Sequence, residues 1–294
     1  MTKPDDESQA AVSPTTAFVL AGGGSLGAVQ VGMLKALIGA GIVPDMVVGA
    51  SVGAINGACL AGQPDMNGIA RLEQIWLGLT RQRVFPLSPW GMLCGLLQHR
   101  NYLMSPQGLA DVITDGLPCK RLEDTRLPFH AVATDLLSGK AVTLSSGPAT
   151  EALLASAAIP AVFPPVRLGG CELVDGGLAS NTPMRTAVAL GATRLIVLPT
   201  GLSCALKKPP SSVLGMAMHA LNVLIMQQLR EDSEALEKIV ELHIVPPVCP
   251  VTVGSHDFSQ TRQLIERAEH GTTEWLDAGG LEKSGRAMLD PHRH

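Results

Sequence analysis

The apolar run from Thr16 to Ala21 ends in three glycines. A run this short, closed by glycine, predicts a strand buried on both faces. From Ser25 to Gly41 the period changes. Leu26, Val29, Val31, Leu34, Leu37 and Ile38 recur at helical spacing, and Gly41 closes the segment. Asp45 to Gly49 predicts a second buried strand, and Val52 to Gly62 a helix of small residues. Strand–helix–strand–helix order implies parallel strands joined by right-handed crossovers.

The pattern is different from about 65 to 126, where Trp76, Trp90, several prolines and short helical repeats occur without clear strands. This reads as a helical insertion or lid. Strands return at Phe129–Thr134 and Lys140–Leu144, followed by a helix over Thr150–Ala158 that Pro160 stops. Val166–Leu168 and Cys171–Val174 flank Gly169-Gly170, a hairpin signal. Thr182 is placed to cap a helix with Pro183 in its first turn. Late strands are expected at Arg194–Pro199 and Glu241–Val245, with a long apolar helix over Ser212–Arg230 between them. An amphipathic helix is expected over Phe258–Leu276.

The expected fold is therefore α/β, a mostly parallel central sheet sandwiched by helices in three layers. Residues 1–15 read as a disordered leader, 16–285 as a single domain and 286–294 as a flexible tail. Hydrophobic residues make up 46% of the 294, enough for a sizeable core, and aromatics only 3%. A net charge of −4 argues against nucleic acid as the main partner. The six cysteines show no metal-like spacing and read as reduced, mostly buried thiols of a cytoplasmic protein. No apolar run reaches the roughly 18 residues of a membrane span.

Gly22-x-Gly24-x-x-Gly27 has the spacing of a dinucleotide-binding fingerprint. That site needs an acidic residue at the C-terminal end of the second strand. Asp45 lies at the wrong end. The right end carries Gly49-Ala50-Ser51-Val52-Gly53, a G-x-S-x-G between strand and helix. Its glycines permit a sharp turn that thrusts Ser51 out at a helix N-terminus as a candidate nucleophile. Parallel βα turns face the same sheet edge, so the Gly22, Gly23, Gly24, Ser25 and Gly27 loop reads as an oxyanion hole beside Ser51.

None of the eight histidines sits in a catalytic-looking context. An elbow as early as residue 51 also disfavours an α/β-hydrolase, which would normally place several strands before it. Asp175, followed by Gly176 and Gly177, is the better candidate base, although an Asp-Gly turn is also a common surface feature. Residue chemistry alone leaves both readings open.

These pieces together resemble the patatin-like phospholipase family, lipid acyl hydrolases with a Ser–Asp dyad. The resemblance rests on Gly22-Gly23-Gly24-Ser25-Leu26-Gly27, on Gly49–Gly53 and on Asp175-Gly176-Gly177 in that order. Ala155–Pro160, Phe163–Pro165 and Asn181-Thr182-Pro183 support it, over roughly residues 16 to 200. It implies Ser51 as nucleophile, Asp175 as base and the glycine loop as oxyanion hole, acting on fatty-acyl esters of phospholipid, lysophospholipid or neutral lipid. A thioesterase or acyltransferase on the same two residues is the alternative. Many members carry Arg or Lys at the position of Leu26. Lacking that cation, the chain shows no sign of a strong preference for anionic head groups.

No metal or other cofactor is expected. Membrane contact, where it occurs, is peripheral and transient, and the sequence does not define an oligomeric state. Met218 and Met226, on the long apolar helix, are candidates for an adaptable acyl-chain wall.

Overall fold

The computed structural model describes residues 15–85, 102–201, 213–251 and 253–282. The strands are β1 (Thr16–Leu20), β2 (Met46–Ala50), β3 (Phe129–Asp135), β4 (Ala141–Leu144), β5 (Val166–Leu168), β6 (Cys171–Asp175), β7 (Arg194–Leu198) and β8 (Glu241–Ile244). The helices are α1 (Ala28–Gly39), α2 (Val52–Gly62), α3 (Met66–Leu77), α4 (Arg81–Val84), α5 (Gln107–Gly116), α6 (Ala149–Ser156), α7 (Gly177–Ser180), α8 (Met184–Ala189), α9 (Val213–Leu236) and α10 (Thr261–Asp277).

One sheet holds all eight strands. β3, β2, β1, β7 and β8 lie side by side and parallel. β4 and β6 pair antiparallel with β3, and β5 with β6. Alternation along the strands feeds two cores. Phe18 and Leu20 of β1 face a core shared with α1, α2, α3, α5, α6 and α10. Ala17 and Val19 face a smaller one closed by Met184 and Ala187 of α8 and by Leu229 and Leu236 of α9. The expected three-layer arrangement is therefore present.

The register on β3 has a consequence for the site. β2 pairs with residues 129–132 of β3 and β4 with 131–134, so these two must occupy opposite edges. β6 pairs with 133–135, again overlapping β4. Hence β2 and β6 share one edge and meet end to end. Ala50 sits opposite Val132, and Asp175 opposite Ala133.

Several boundaries differ from expectation. The helix expected to be capped by Thr182 starts at Met184, with Pro183 in the cap position and no side-chain cap bond. The last amphipathic helix starts at Thr261, which leaves Phe258 in the preceding loop. Thr15, assigned to the leader, is already tied down, its N–H donating to Thr193 Oγ1 at 3.0 Å. The rest of the leader, Trp90 and the tail lie outside the described residues, as do Cys94 and Cys204. Between 65 and 126 the described residues form helices and contribute no strand to the sheet. Cys59, Cys119 and Cys171 are free thiols, whereas Cys249 is disulfide-bonded. That corrects the expectation of uniformly reduced cysteines, because pairing depends on proximity in the fold and not on sequence spacing. Among the described residues no helix is long and apolar enough to cross a membrane.

Candidate active site

Ser51 leaves β2 with φ 53 and ψ −127 and caps α2. A left-handed φ at a non-glycine residue is strained, and such strain persists only where the surroundings enforce it. They do so here through the flanking glycines. A Cβ at Gly49 would lie 2.4 Å from the Gly53 carbonyl oxygen, and one at Gly53 would lie 2.3 Å from that of Leu20. The motif's glycines let the elbow fold back onto β1.

Because β2 and β6 meet end to end, the residue after Ala50 faces the last residue of β6. The Ser51 hydroxyl donates to Asp175 Oδ2 at 2.6 Å. The other carboxylate oxygen, Oδ1, accepts the Gly177 N–H at 2.7 Å. Ser156 Oγ accepts the Ser51 N–H at 3.0 Å and donates to the Val132 carbonyl at 2.6 Å. Thr134 Oγ1 donates to the Asp175 carbonyl at 2.8 Å. Both members of the pair are buried. Burial raises the Asp175 pKa to about 6, against the opposing effect of the hydrogen bonds from Ser51 and Gly177. The carboxylate is thus poised to take or hold a proton near neutrality.

The glycine loop lies against the same edge. Thr200 Oγ1 donates to the Gly22 carbonyl at 2.6 Å, and the Gly22 N–H donates to the Asn181 carbonyl at 3.0 Å. The Ser25 N–H donates to the Ser255 carbonyl at 2.8 Å, and its hydroxyl to Gly254 at 3.1 Å. Two expected oxyanion donors, the amides of Gly22 and Ser25, are therefore already committed to holding the loop. The amides of Gly23 and Gly24 have no acceptor among the described residues. Gly24 has φ +59, and a Cβ there would lie 2.2 Å from the Ser255 oxygen. Gly27 is a packing position, where a Cβ would meet Val52 at 2.5 Å.

A buried polar chain braces the loop from behind. Gln30 Nε2 donates to the Ala21 and Leu198 carbonyls. Asn56 Nδ2 donates to the Gly27 carbonyl and to Gln30 Oε1, and Trp76 Nε1 donates to Asn56 Oδ1. With each bond satisfied, such a network fixes geometry rather than costing stability.

From Ser51 an apolar pocket runs into the first core. Three helices wall it, each with one stripe. These are Val52, Ile55 and Cys59 on α2, then Leu72, Ile75 and Leu79 on and after α3, then Leu109, Val112 and Gly116 on α5. The Cys59 thiol is held neutral, its pKa pushed up to about 12 by burial. An aromatic cluster also lines it. Phe85 stacks on Phe163 at 5.8 Å, and Phe258 lies 6.4 Å from Phe85 and 6.2 Å from Trp76.

At Met226 the expected wall on α9 does not line this pocket. Met226 packs against the second core, across the sheet from the pocket's helices. The Met218 side chain lies outside the described residues. Neither His243 nor His256 hydrogen-bonds Ser51, although His256 follows Ser255 beside the glycine loop. His243 is buried on β8 with Nε2 2.7 Å from Glu241, and His256 is exposed. Sequence reading missed Ser156, Thr200, Ser255 and the aromatic cluster. Ser156 lies within a stretch already singled out, whereas Thr200 and Ser255 carry no local signal.

A family model described as Patatin-like phospholipase matches residues 18–188. An NTE family protein of Mycobacterium bovis is 31% identical over 190 residues, covering 63% of this chain and 49% of that protein. Patatin-like phospholipase domain-containing protein 7 of Rattus norvegicus is 29% identical over 187 residues, 63% of this chain and 13% of that one. Neuropathy target esterase sws of Drosophila melanogaster is 28% identical over 187 residues, with the same coverage of 63% and 13%. The matched region thus spans half or less of these relatives. Among solved structures, human GIVD cytosolic phospholipase A2, in complex with a methyl gamma-linolenyl fluorophosphonate inhibitor and terbium chloride, aligns with TM-score 0.54 and 14% identity, over 94% of this chain and 60% of that one. VipD from Legionella pneumophila aligns with TM-score 0.53 and 15% identity, over 91% and 67%. At these identities the two structures speak to the fold.

Proposed function

We propose that this chain, which belongs to the patatin-like phospholipase family, hydrolyses fatty-acyl esters of lipids through an acyl-Ser51 intermediate with Asp175 as the only base. The observation that carries the reading is the 2.6 Å hydrogen bond from the Ser51 hydroxyl to a buried carboxylate, with Ser51 lining an apolar pocket. The phospholipase and esterase names of the relatives point the same way.

Asp175 accepts the hydroxyl proton as Ser51 Oγ bonds to the ester carbonyl carbon, and the carbonyl π electrons move onto oxygen. The free amides of Gly23 and Gly24, with the N-terminus of α2, receive that oxyanion. Collapse breaks the bond to the leaving alkoxide, which takes the proton from Asp175 and departs as the alcohol or lysolipid. Water then repeats the sequence on acyl-Ser51 and releases the fatty acid, with Asp175 again as base. The acyl chain occupies the pocket between α2, α3 and α5.

The proposed substrates place the chain in transient contact with a membrane surface.

A fluorophosphonate probe and a panel of p-nitrophenyl and phospholipid esters test the reading, with added alcohols to expose acyl transfer. Ser51→Ala is expected to abolish both labelling and turnover, and Asp175→Asn to reduce turnover by roughly 10²–10⁴-fold. Labelling at another residue would sink the assignment.

A further inference from the structure

Away from Ser51, toward the C-terminal end of α2, the pocket is lined by Cys59 of α2, Leu72 and Ile75 of α3 and Gly116 of α5. The same four residues line a second, smaller hollow, completed by Gln63, Gly68, Arg71 and Pro118. One layer of residues therefore separates the two spaces. That layer is closely fitted. Cys59 Sγ lies 3.9 Å from the Gly116 carbonyl oxygen, and a Cβ on Gly116 would come within 3.2 Å of Ile75 Cδ1.

The four residues are not equivalent. Leu72 is only 2% exposed and belongs to the main core. Gly116 has no side chain to vary, and Cys59 is small. Ile75 is half-buried, lines both spaces and closes the gap over Gly116 with its terminal methyl.

We propose that this layer is the floor of the acyl site and that Ile75 sets the longest acyl chain the enzyme accepts. The inference rests on the reading of Ser51 as the acyl nucleophile. The depth follows from α2, which runs from the reactive end to the floor. Eight residues separate Ser51 from Cys59. At 1.5 Å per residue that is about 12 Å. A zigzag hydrocarbon with bonds of about 1.5 Å advances roughly 1.25 Å per bond, so the floor stops a chain of roughly ten carbons. Longer chains must fold back or leave part of their length in water, and each methylene kept out of the apolar site forgoes up to about a fourfold gain in kcat/KM.

The test is an acyl-length profile, C4 to C16 p-nitrophenyl esters, for wild type, Ile75→Ala, Ile75→Val and Ile75→Phe, with a melting curve for each. Wild type is expected to lose kcat/KM beyond roughly ten carbons. Ile75→Ala joins the two spaces and raises the C14 to C8 ratio by about tenfold or more, and Ile75→Val shifts it the same way by less. Ile75→Phe thickens the floor and moves the optimum to shorter chains. Opposite shifts at one position cannot come from general destabilisation. An active wild type whose profile is unchanged in every folded variant would overturn the floor and leave the reading of Ser51 standing. A wild type inactive on every ester would overturn both.

Discussion

In the proposed mechanism Asp175 carries two demands that pull in opposite directions. As a base it must be charged, yet it is buried beside Ser51 and its pKa is about 6 in the fold, against an ordinary 3.8. Between those two values the folded state holds more protons than the unfolded chain, so stability falls as pH rises through that window. Above about pH 6 the cost is fully present, up to about 3 kcal/mol at 1.36 kcal/mol per pH unit. Asp175→Asn removes the charge and keeps the shape. It is expected to melt higher than wild type at pH 7.5, with the difference shrinking as pH falls through 6 and gone below about 4. Denaturation at several pH values checks this, and a variant less stable than wild type at pH 7.5 would show that the carboxylate's hydrogen bonds outweigh its burial. The residue itself was visible in the sequence as Asp-Gly-Gly. Its environment was not, because burial is created by β3 and α6, which are distant in the chain.

At the scale of elements, the site depends on two strands ending in one lane along β3. Gly176 makes the junction possible, since a Cβ there would lie 2.0 Å from the Val132 carbonyl oxygen and 3.3 Å from the Ala50 Cβ. Gly176→Ala is therefore expected to wedge β6 from β3, costing roughly 1–3 kcal/mol and most of the Ser51 labelling rate. Gly271→Ala on α10 meets nothing within 4 Å and serves as the neutral control. Most strands and helices were legible because period and glycine punctuation agree, as in the hairpin Val166–Asp175 around Gly169-Gly170, both at positive φ. The lane was not legible. No local pattern says that β6 takes up the edge β2 leaves. The cap at Thr182 was misread for a related reason: the tertiary turn after α7 decides where α8 starts, and it overrode the side-chain preference.

Across the whole molecule, the proposed chemistry lies at one edge of the sheet, and the proposed acyl site lies within one helical layer. Ser51 and the glycine loop could be read from the sequence because their motifs are local. The pocket could not, because its stripes come from three helices that show their common face only once packed. An apolar helix such as α9 looks equally suited to lipid in one dimension, yet Met226 faces the other core. The claim on which this account turns is that Asp175 alone activates Ser51. The direct measurement is the second-order rate of fluorophosphonate labelling at Ser51 from pH 4.5 to 9, in wild type and Asp175→Asn. The account predicts a wild-type rate that climbs about tenfold per pH unit up to about pH 6 and then levels off. In Asp175→Asn it predicts a rate at least about a hundredfold lower that does not titrate there. An Asp175→Asn variant that labels at the wild-type rate with the same titration would contradict it and place the base elsewhere.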